Sequence, residues 1–167
     1  PPEHCDVLDS QSWVGLIDRM GSEVTIVNAA RVSFGKRKDS MGPRDVELLR
    51  YLIENRHTSP LEHVCFTFAI HCPLFVRAQW HRHRMWSYNE ISRRYTSIDV
   101  EFYVPQEVRE QAEDNRQASI SGAAIDQETC RSLIAEQNEV AFAAYNRLLD
   151  MGVCREQARG VLPQNMM

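Results

Sequence analysis

The stretch QWHRHRMWSYNEISRRY, residues 79–95, decides how the rest of the chain is read. It gathers Arg82, Arg84, Arg93, Arg94, His81 and His83 around a single carboxylate, Glu90, in a chain of formal net charge −4. With residues 74–83 helical, Gln79, Arg82 and His83 stand at i, i+3 and i+4 and line one side of the last turns. Arginine meets phosphate or carboxylate with a planar fork and stays charged when partly desolvated, so several together point to an anionic ligand. SYNE at 87–90 has turn chemistry, whereas SRRYTSI at 92–98 leans towards strand, which places Glu90 and Ser92 at a loop-to-strand junction beside Arg93 and Arg94. A run such as HRHR is by itself more often a solvated basic face, and Trp80, Trp86 and Tyr88 are also ordinary packing residues. A solvating surface, however, has no need of a lone carboxylate, an amide, serines and aromatic rings among its arginines.

Upstream, Pro73 ends one element and opens a helix through PLFVRAQWHRH. Before it, Val64, Phe66, Phe68 and Ile70 alternate with smaller or polar neighbours, the period of a strand. VELLRYLIENRHTSP puts Val46, Leu49, Leu52 and Ile53 on one helical face, predicting a helix over roughly 44–56 that stops before Pro60. SEVTIVNAARVSF mixes β-branched residues with helical spacing of Val24, Val27 and Ala30, and its type stays open. Downstream, REQAEDNRQASISGAA is polar and without period, a long loop of the kind that serves as a lid. Residues 126–149 then carry Leu133, Ile134, Val140, Ala141, Ala144, Tyr145 and Leu148 at helical spacing, closed by Gly152.

At 167 residues the expectation is one domain, 1–167, able to bury its own core. With 43% apolar and 25% charged residues, neither a disordered nor a fibrous chain is indicated. Because 23 acidic residues outnumber 19 basic ones, no global field exists for wrapping duplex nucleic acid. Cys5, Cys65, Cys72, Cys130 and Cys154 are scattered and contain no CxxC pair, against both a disulfide framework and a cysteine zinc site. No basic leader and no run of about eighteen apolar residues occurs, so the expected location is cytoplasmic, away from membranes.

A second cluster, RHTSPLEH at 56–63, offers His57, Ser59, Glu62 and His63 between a helix and a strand. With His81 and His83 nearby in sequence it raises a histidine metal site, but HExxH is absent and an HxH pair on a helix faces two ways; no metal is expected. The tryptophans and Tyr88 among arginines also suit a binder of single-stranded nucleic acid, which ranks below a small-molecule anion site.

Arg82–Tyr95 resembles the signature of the flavin-dependent thymidylate synthases, RHR followed after a short gap by S-x-N-E-x-S-x-R. Arg82, His83, Arg84, Ser87, Asn89, Glu90, Ser92 and Arg94 all fall in place. AARVSFG at 29–35, RHTSPLEHVCFTF at 56–68 and EQARGVLPQN at 156–165 follow the family in the same order, so the likeness covers nearly the whole chain. The resemblance implies an α+β fold in which long helices flank a curved antiparallel sheet, and a homotetramer with shared active sites. It implies transfer of a one-carbon unit from methylenetetrahydrofolate to C5 of dUMP, with FAD reduced by NADPH, and without a cysteine nucleophile.

Carried over residue by residue, Ser59, Arg82, His83, Arg84 and Glu90 fall on flavin positions. Gln79, Arg82, Glu90, Ser92, Arg93, Arg94 and Arg159 fall on nucleotide positions, and His57, Ser92 and Arg82 on positions tied to catalysis. Phosphate chemistry agrees, since a mononucleotide dianion calls for forked cations such as Arg94, Arg159 and Arg82. Ser92 reads better as a hydrogen-bond donor than as a nucleophile, with no base evidently paired to it. The chain departs from the family in NRQASISG at 115–122, where N-K-Q-G-S-G is usual, and in stopping at QNMM, before the further strand and helix that family members carry. A short relative acting on UMP, as in nucleoside-antibiotic pathways, is the alternative substrate reading.

Overall fold

A computed structural model describes residues 4–7, 10–97 and 99–167. These fall into two compact units, one holding Val14–Ile70 with the residues up to Cys5, the other Asp6–Trp13 with His71–Met167. The boundaries lie inside three strands, β1 (His4–Val7), β2 (Ser12–Met20) and β3 (Cys65–His71), which form one sheet in the order β1-β2-β3. The architecture is α+β, and no described helix is long and apolar enough to cross a membrane.

In the first unit the segment of open type is a helix, α1 (Glu23–Arg31), whose start is fixed when the Thr25 hydroxyl accepts the Ser22 N–H at 3.0 Å. That local cap outweighs the strand preference of Val24, Thr25, Ile26 and Val27. Val27 is 1% exposed and Leu52 5%, and burial of each such side chain contributes about 1.5–3 kcal/mol. The helix expected at 44–56 is α2 (Pro43–Glu54), with proline at its first position and Asp45 reaching back to the Gly42 N–H at 2.8 Å. Its inward residue is Leu52, whereas Val46 and Ile53 of the expected apolar face are 45% and 61% exposed. β3 forms where a strand is expected, yet Phe66, Phe68 and Ile70 are exposed in this chain and no buried face alternates along it. β2 gave no clear signal, because Gly15 and the charged Asp18 and Arg19 interrupt its apolar run.

In the second unit α3 spans Leu74–Trp80, three residues shorter than expected at its end. Beyond it the Arg82 and His83 amides reach back only three residues, to Gln79 O at 3.1 Å and Trp80 O at 2.9 Å, so the helix tightens into turns. Of SRRYTSI, residues 92–97 are likewise not a strand, and Ile98 lies outside the described residues. Ser92 O accepts from the Tyr95 and Thr96 amides, and the Arg93 guanidinium donates to Asp99 O at 2.9 Å, closing a loop that overrides β propensity. The expected lid loop contains a hairpin, β4 (Glu110–Gln111) and β5 (Ser119–Ile120), paired antiparallel with Glu110 opposite Ile120.

That hairpin is held by side chains reaching backbone. Arg109 donates to Ser119 Oγ at 2.9 Å and Ser119 O at 3.0 Å. The Gln127 amide acts as a surrogate strand, accepting from Val108 N at 2.7 Å and donating to Val108 O at 2.9 Å and Gly122 O at 2.8 Å. α4 (Gln127–Asp150) begins at Asp126, whose carboxylate accepts the Thr129 N–H, and ends in a Schellman turn with Gly152 at φ +86°. Its inward face is Ile134, Asn138, Phe142 and the fully buried Tyr145, while Leu133 and Val140 point out, 56% and 57% exposed. α5 (Arg155–Ala158) follows, and the terminal segment is stitched in by the Leu74 amide to Met166 O, the Tyr103 amide to Asn165 O and the Met167 amide to Glu101 O.

Candidate functional site

Within the first unit, α2 ends on an arginine in the left-handed region, Arg56 at φ +54°. This closes a Schellman pattern, with the His57 amide on Leu52 O at 2.8 Å, and delivers His57 and Ser59 onto an exposed loop. The His57 ring meets Tyr51 edge-on at 5.7 Å. A 3-10 turn, Leu61–His63, then returns the chain to β3. Beside it lies a depression of about 500 Å³ lined by Asn28, Ala29, Val32, Lys36, Arg37 and His63 among others. The AARVSFG and RHTSPLEH segments therefore meet in space as well as in pattern.

Four cations crowd residues 31–38, and a buried carboxylate neutralises two of them. Asp45 is 0% exposed, accepting a hydrogen bond from Lys38 Nζ at 2.5 Å and ion-paired with Arg31 Nη2 at 2.6 Å. The Lys38 hydrogen bond, the Gly42 amide and the Arg31 charge hold its carboxyl below the usual range, against the opposing effect of burial. Asn28 fixes the same loop by pairing both amide atoms with the Lys38 backbone at 2.8 Å.

In the second unit Gln79 and His83 line one open cavity, a surface depression of about 420 Å³, with Val76, Trp80 and Trp86. The two indoles meet edge to face at 6.0 Å and supply an apolar wall. Arg82 and Arg84 flank His83 and are exposed, as is Glu90, whose carboxylate pairs with Arg77 Nε at 3.2 Å. Sequence reasoning passed over Arg77, which carries no motif signal and is recognisable only by this contact. Burial raises the neighbouring Cys72 thiol, with the Arg77 charge pulling it the other way.

Ser92, Arg93 and Arg94 occupy the turn after Glu90, and they differ in availability. Arg93 is 7% exposed and spent on structure through Asp99 O, whereas Arg94 is exposed, lies over the Tyr95 ring at 5.7 Å and pairs loosely with Glu156 at 3.7 Å. That contact brings the EQARG segment to the arginine turn, with Arg159 exposed on the 3-10 turn after α5. The Ser92 hydroxyl accepts from the Arg94 amide at 3.3 Å, capping the turn. His57 and Ser59 belong to the first unit, and the remaining expected site residues to the second.

A family profile described as thymidylate synthase complementing protein matches residues 15–167. The chain belongs to that family. Among curated family members, a flavin-dependent thymidylate synthase from Thermus thermophilus is 48% identical over 160 residues, covering 96% of this chain and 58% of the relative. One from Thermosipho africanus is 41% identical, covering 95% and 69%. This chain thus spans little more than half the length of the Thermus protein. Among solved structures, the UMP/dUMP methylase PolB from Streptomyces cacaoi bound with 5-Br UMP superposes with a TM-score of 0.79 at 37% identity, covering 93% of this chain and 67% of that one. The form bound with 5-Br dUMP gives the same TM-score at 38% identity.

Proposed function

We propose that this chain carries the flavin- and nucleotide-binding part of a flavin-dependent thymidylate synthase, which places a one-carbon unit on C5 of dUMP. The observation that carries this reading is that Gln79 and His83 line one aromatic-walled depression, while the guanidinium groups of Arg82 and Arg84, beside His83 in the chain, and of Arg94 are exposed. The depression is open to solvent, and its indole rings suit a planar ligand as the exposed forked cations suit phosphate. This donor set fits FAD, which supplies the hydride chemistry when bound. NADPH and methylenetetrahydrofolate complete the proposed reaction as co-substrates.

The chain's residues have separable tasks. Arg82, His83 and Arg84 hold the flavin, Ser59 is a further flavin contact, and Gln79 orients the pyrimidine. Arg94 and Arg159 take the phosphate, displacing the loose Glu156 contact, while Ser92 and the buried Arg93 keep the turn in shape. Glu90, aligned by Arg77, accepts hydrogen bonds from ligand hydroxyl or N–H groups, and His57 serves the reacting face of the flavin. The family profile runs through both units, which supports treating them as one functional domain. Exposed apolar side chains on α2, β3 and α4 support a homo-oligomer, for which the family resemblance implies a tetramer with shared sites, and the scattered free cysteines suit a cytoplasmic setting.

The second reading, a methylase acting on UMP as well as dUMP, is favoured by the likeness to PolB with either brominated nucleotide. One experiment tests both: record the visible spectrum of the purified full-length protein, then follow reoxidation of its reduced flavin with folate and either dUMP or UMP. Turnover with dUMP alone supports the synthase, turnover with both supports the methylase, and a colourless protein that takes up no FAD refutes both.

A further inference from the structure

The helix that carries Gln79 ends without a glycine cap, in a tightened turn where the His83 amide already bonds Trp80 O at 2.9 Å, and a side chain adds a second donor there. The Tyr88 hydroxyl lies 3.0 Å from Trp80 O and 2.8 Å from His83 O, sharing its proton between the two. Its ring packs on His81 with centroids 4.3 Å apart, so the phenol is held from the side as well as at its tip. Both residues whose carbonyls it grips line the 420 Å³ cavity, while Tyr88 does not. Between those two carbonyls sits the turn bearing Arg82, whose amide is bonded only to Gln79 O, three residues back.

We propose that Tyr88 is a positioning residue for ligand binding: its hydroxyl clamps the two ends of the Trp80–His83 turn and so fixes the cavity wall and the direction of Arg82 and His83. This role rests on the flavin and nucleotide reading of the same cavity. A tight turn on an exposed segment otherwise frays, and each conformer that misdirects Arg82 lowers affinity in proportion to its population. Removing the hydroxyl while keeping the ring isolates the clamp from the packing on His81.

The test uses Tyr88→Phe in the full-length protein, with flavin binding read by quenching of tryptophan emission and nucleotide binding by calorimetry. Loss of one neutral hydrogen bond predicts roughly three- to tenfold weaker binding of both ligands. The melting temperature should fall by no more than about 2–4 °C. Hydrogen exchange should quicken at the Arg82 and His83 amides, and Tyr88→Leu, which also loses the ring, should weaken binding further. Wild-type affinities together with unchanged exchange in Tyr88→Phe overturn the clamp, as does a loss of affinity no larger than the loss of folded protein explains. Should the wild-type protein itself bind neither flavin nor nucleotide, the proposed function fails first and the positioning role with it.

Discussion

Substituting Gly122 by alanine is the most direct probe of the surrogate strand built from Gln127. A Cβ at Gly122 would stand 1.8 Å from Val108 O, 2.9 Å from Val108 C and 2.7 Å from Gln127 Nε2, where ordinary contact begins near 3.4 Å. The obstacle is backbone on one side and an amide already bonded on the other, so no rotamer relieves it. The Val108 carbonyl must retreat by about 1.6 Å, the difference between those two distances, and the three hydrogen bonds of the Gln127 amide go with it. At about 1 kcal/mol net for each bond, the cost is about 3 kcal/mol. For a protein of this size that is a fall of roughly 6–12 °C in melting temperature, measured by calorimetry or circular dichroism. Gln127→Ala removes the same bonds, so the double variant should fall well short of the sum of the two singles. Gly152→Ala is the control: nothing lies within 4 Å, and only its φ of +86° disfavours a side chain, at about 1–2 kcal/mol. If Gly122→Ala melts within about 2 °C of wild type, the packing argument is refuted.

Asp45 has a lowered carboxyl pKa, so its contribution to stability is present above about pH 4, the unfolded value, and is lost as pH falls through the lower folded value. Urea unfolding of wild type should therefore weaken between pH 4 and strong acid, while Asp45→Asn starts weaker and shows a flatter acid limb; parallel curves would contradict this. Cys72, its thiol raised by burial, should alkylate more slowly at pH 8 than exposed Cys65 and Cys154, as peptide mass spectrometry can read. Arg94→Ala should weaken nucleotide binding about 10- to 100-fold, the worth of a hydrogen bond to a charged group, with flavin retained; calorimetry showing wild-type affinity would remove its phosphate role. Arg56→Gly relieves a left-handed arginine and should raise thermal stability by about 1 kcal/mol, an effect that calorimetry resolves.

What the sequence reveals here follows from how each structure is encoded. α2, β3 and α4 write their periods into neighbouring residues, and a motif as dense as RHRMWSYNEISRRY marks the family, which the profile match over residues 15–167 bears out. The hairpin at 110–120 has no period to read, because Arg109 and Gln127 impose it through backbone contacts. SRRYTSI misleads because a guanidinium closing a loop outweighs local preference. Periodicity also finds apolar positions without saying what covers them, which is why Val46, Ile53, Leu133 and Val140 lie outside in this chain. Arg93 and Arg94 look equivalent in sequence, yet one is buried in the frame and the other is available to ligand.

The amides of Asn28 and Gln127 each hold a loop by offering one donor and one acceptor to a backbone segment. Hydrolysis of such an amide to a carboxylate adds almost no volume, yet it replaces the donor with an anionic oxygen facing a carbonyl. Slow chemical ageing at either position would turn a latch into a repulsive contact, loosening the loop that each amide holds against the helix, α1 or α4, that carries it.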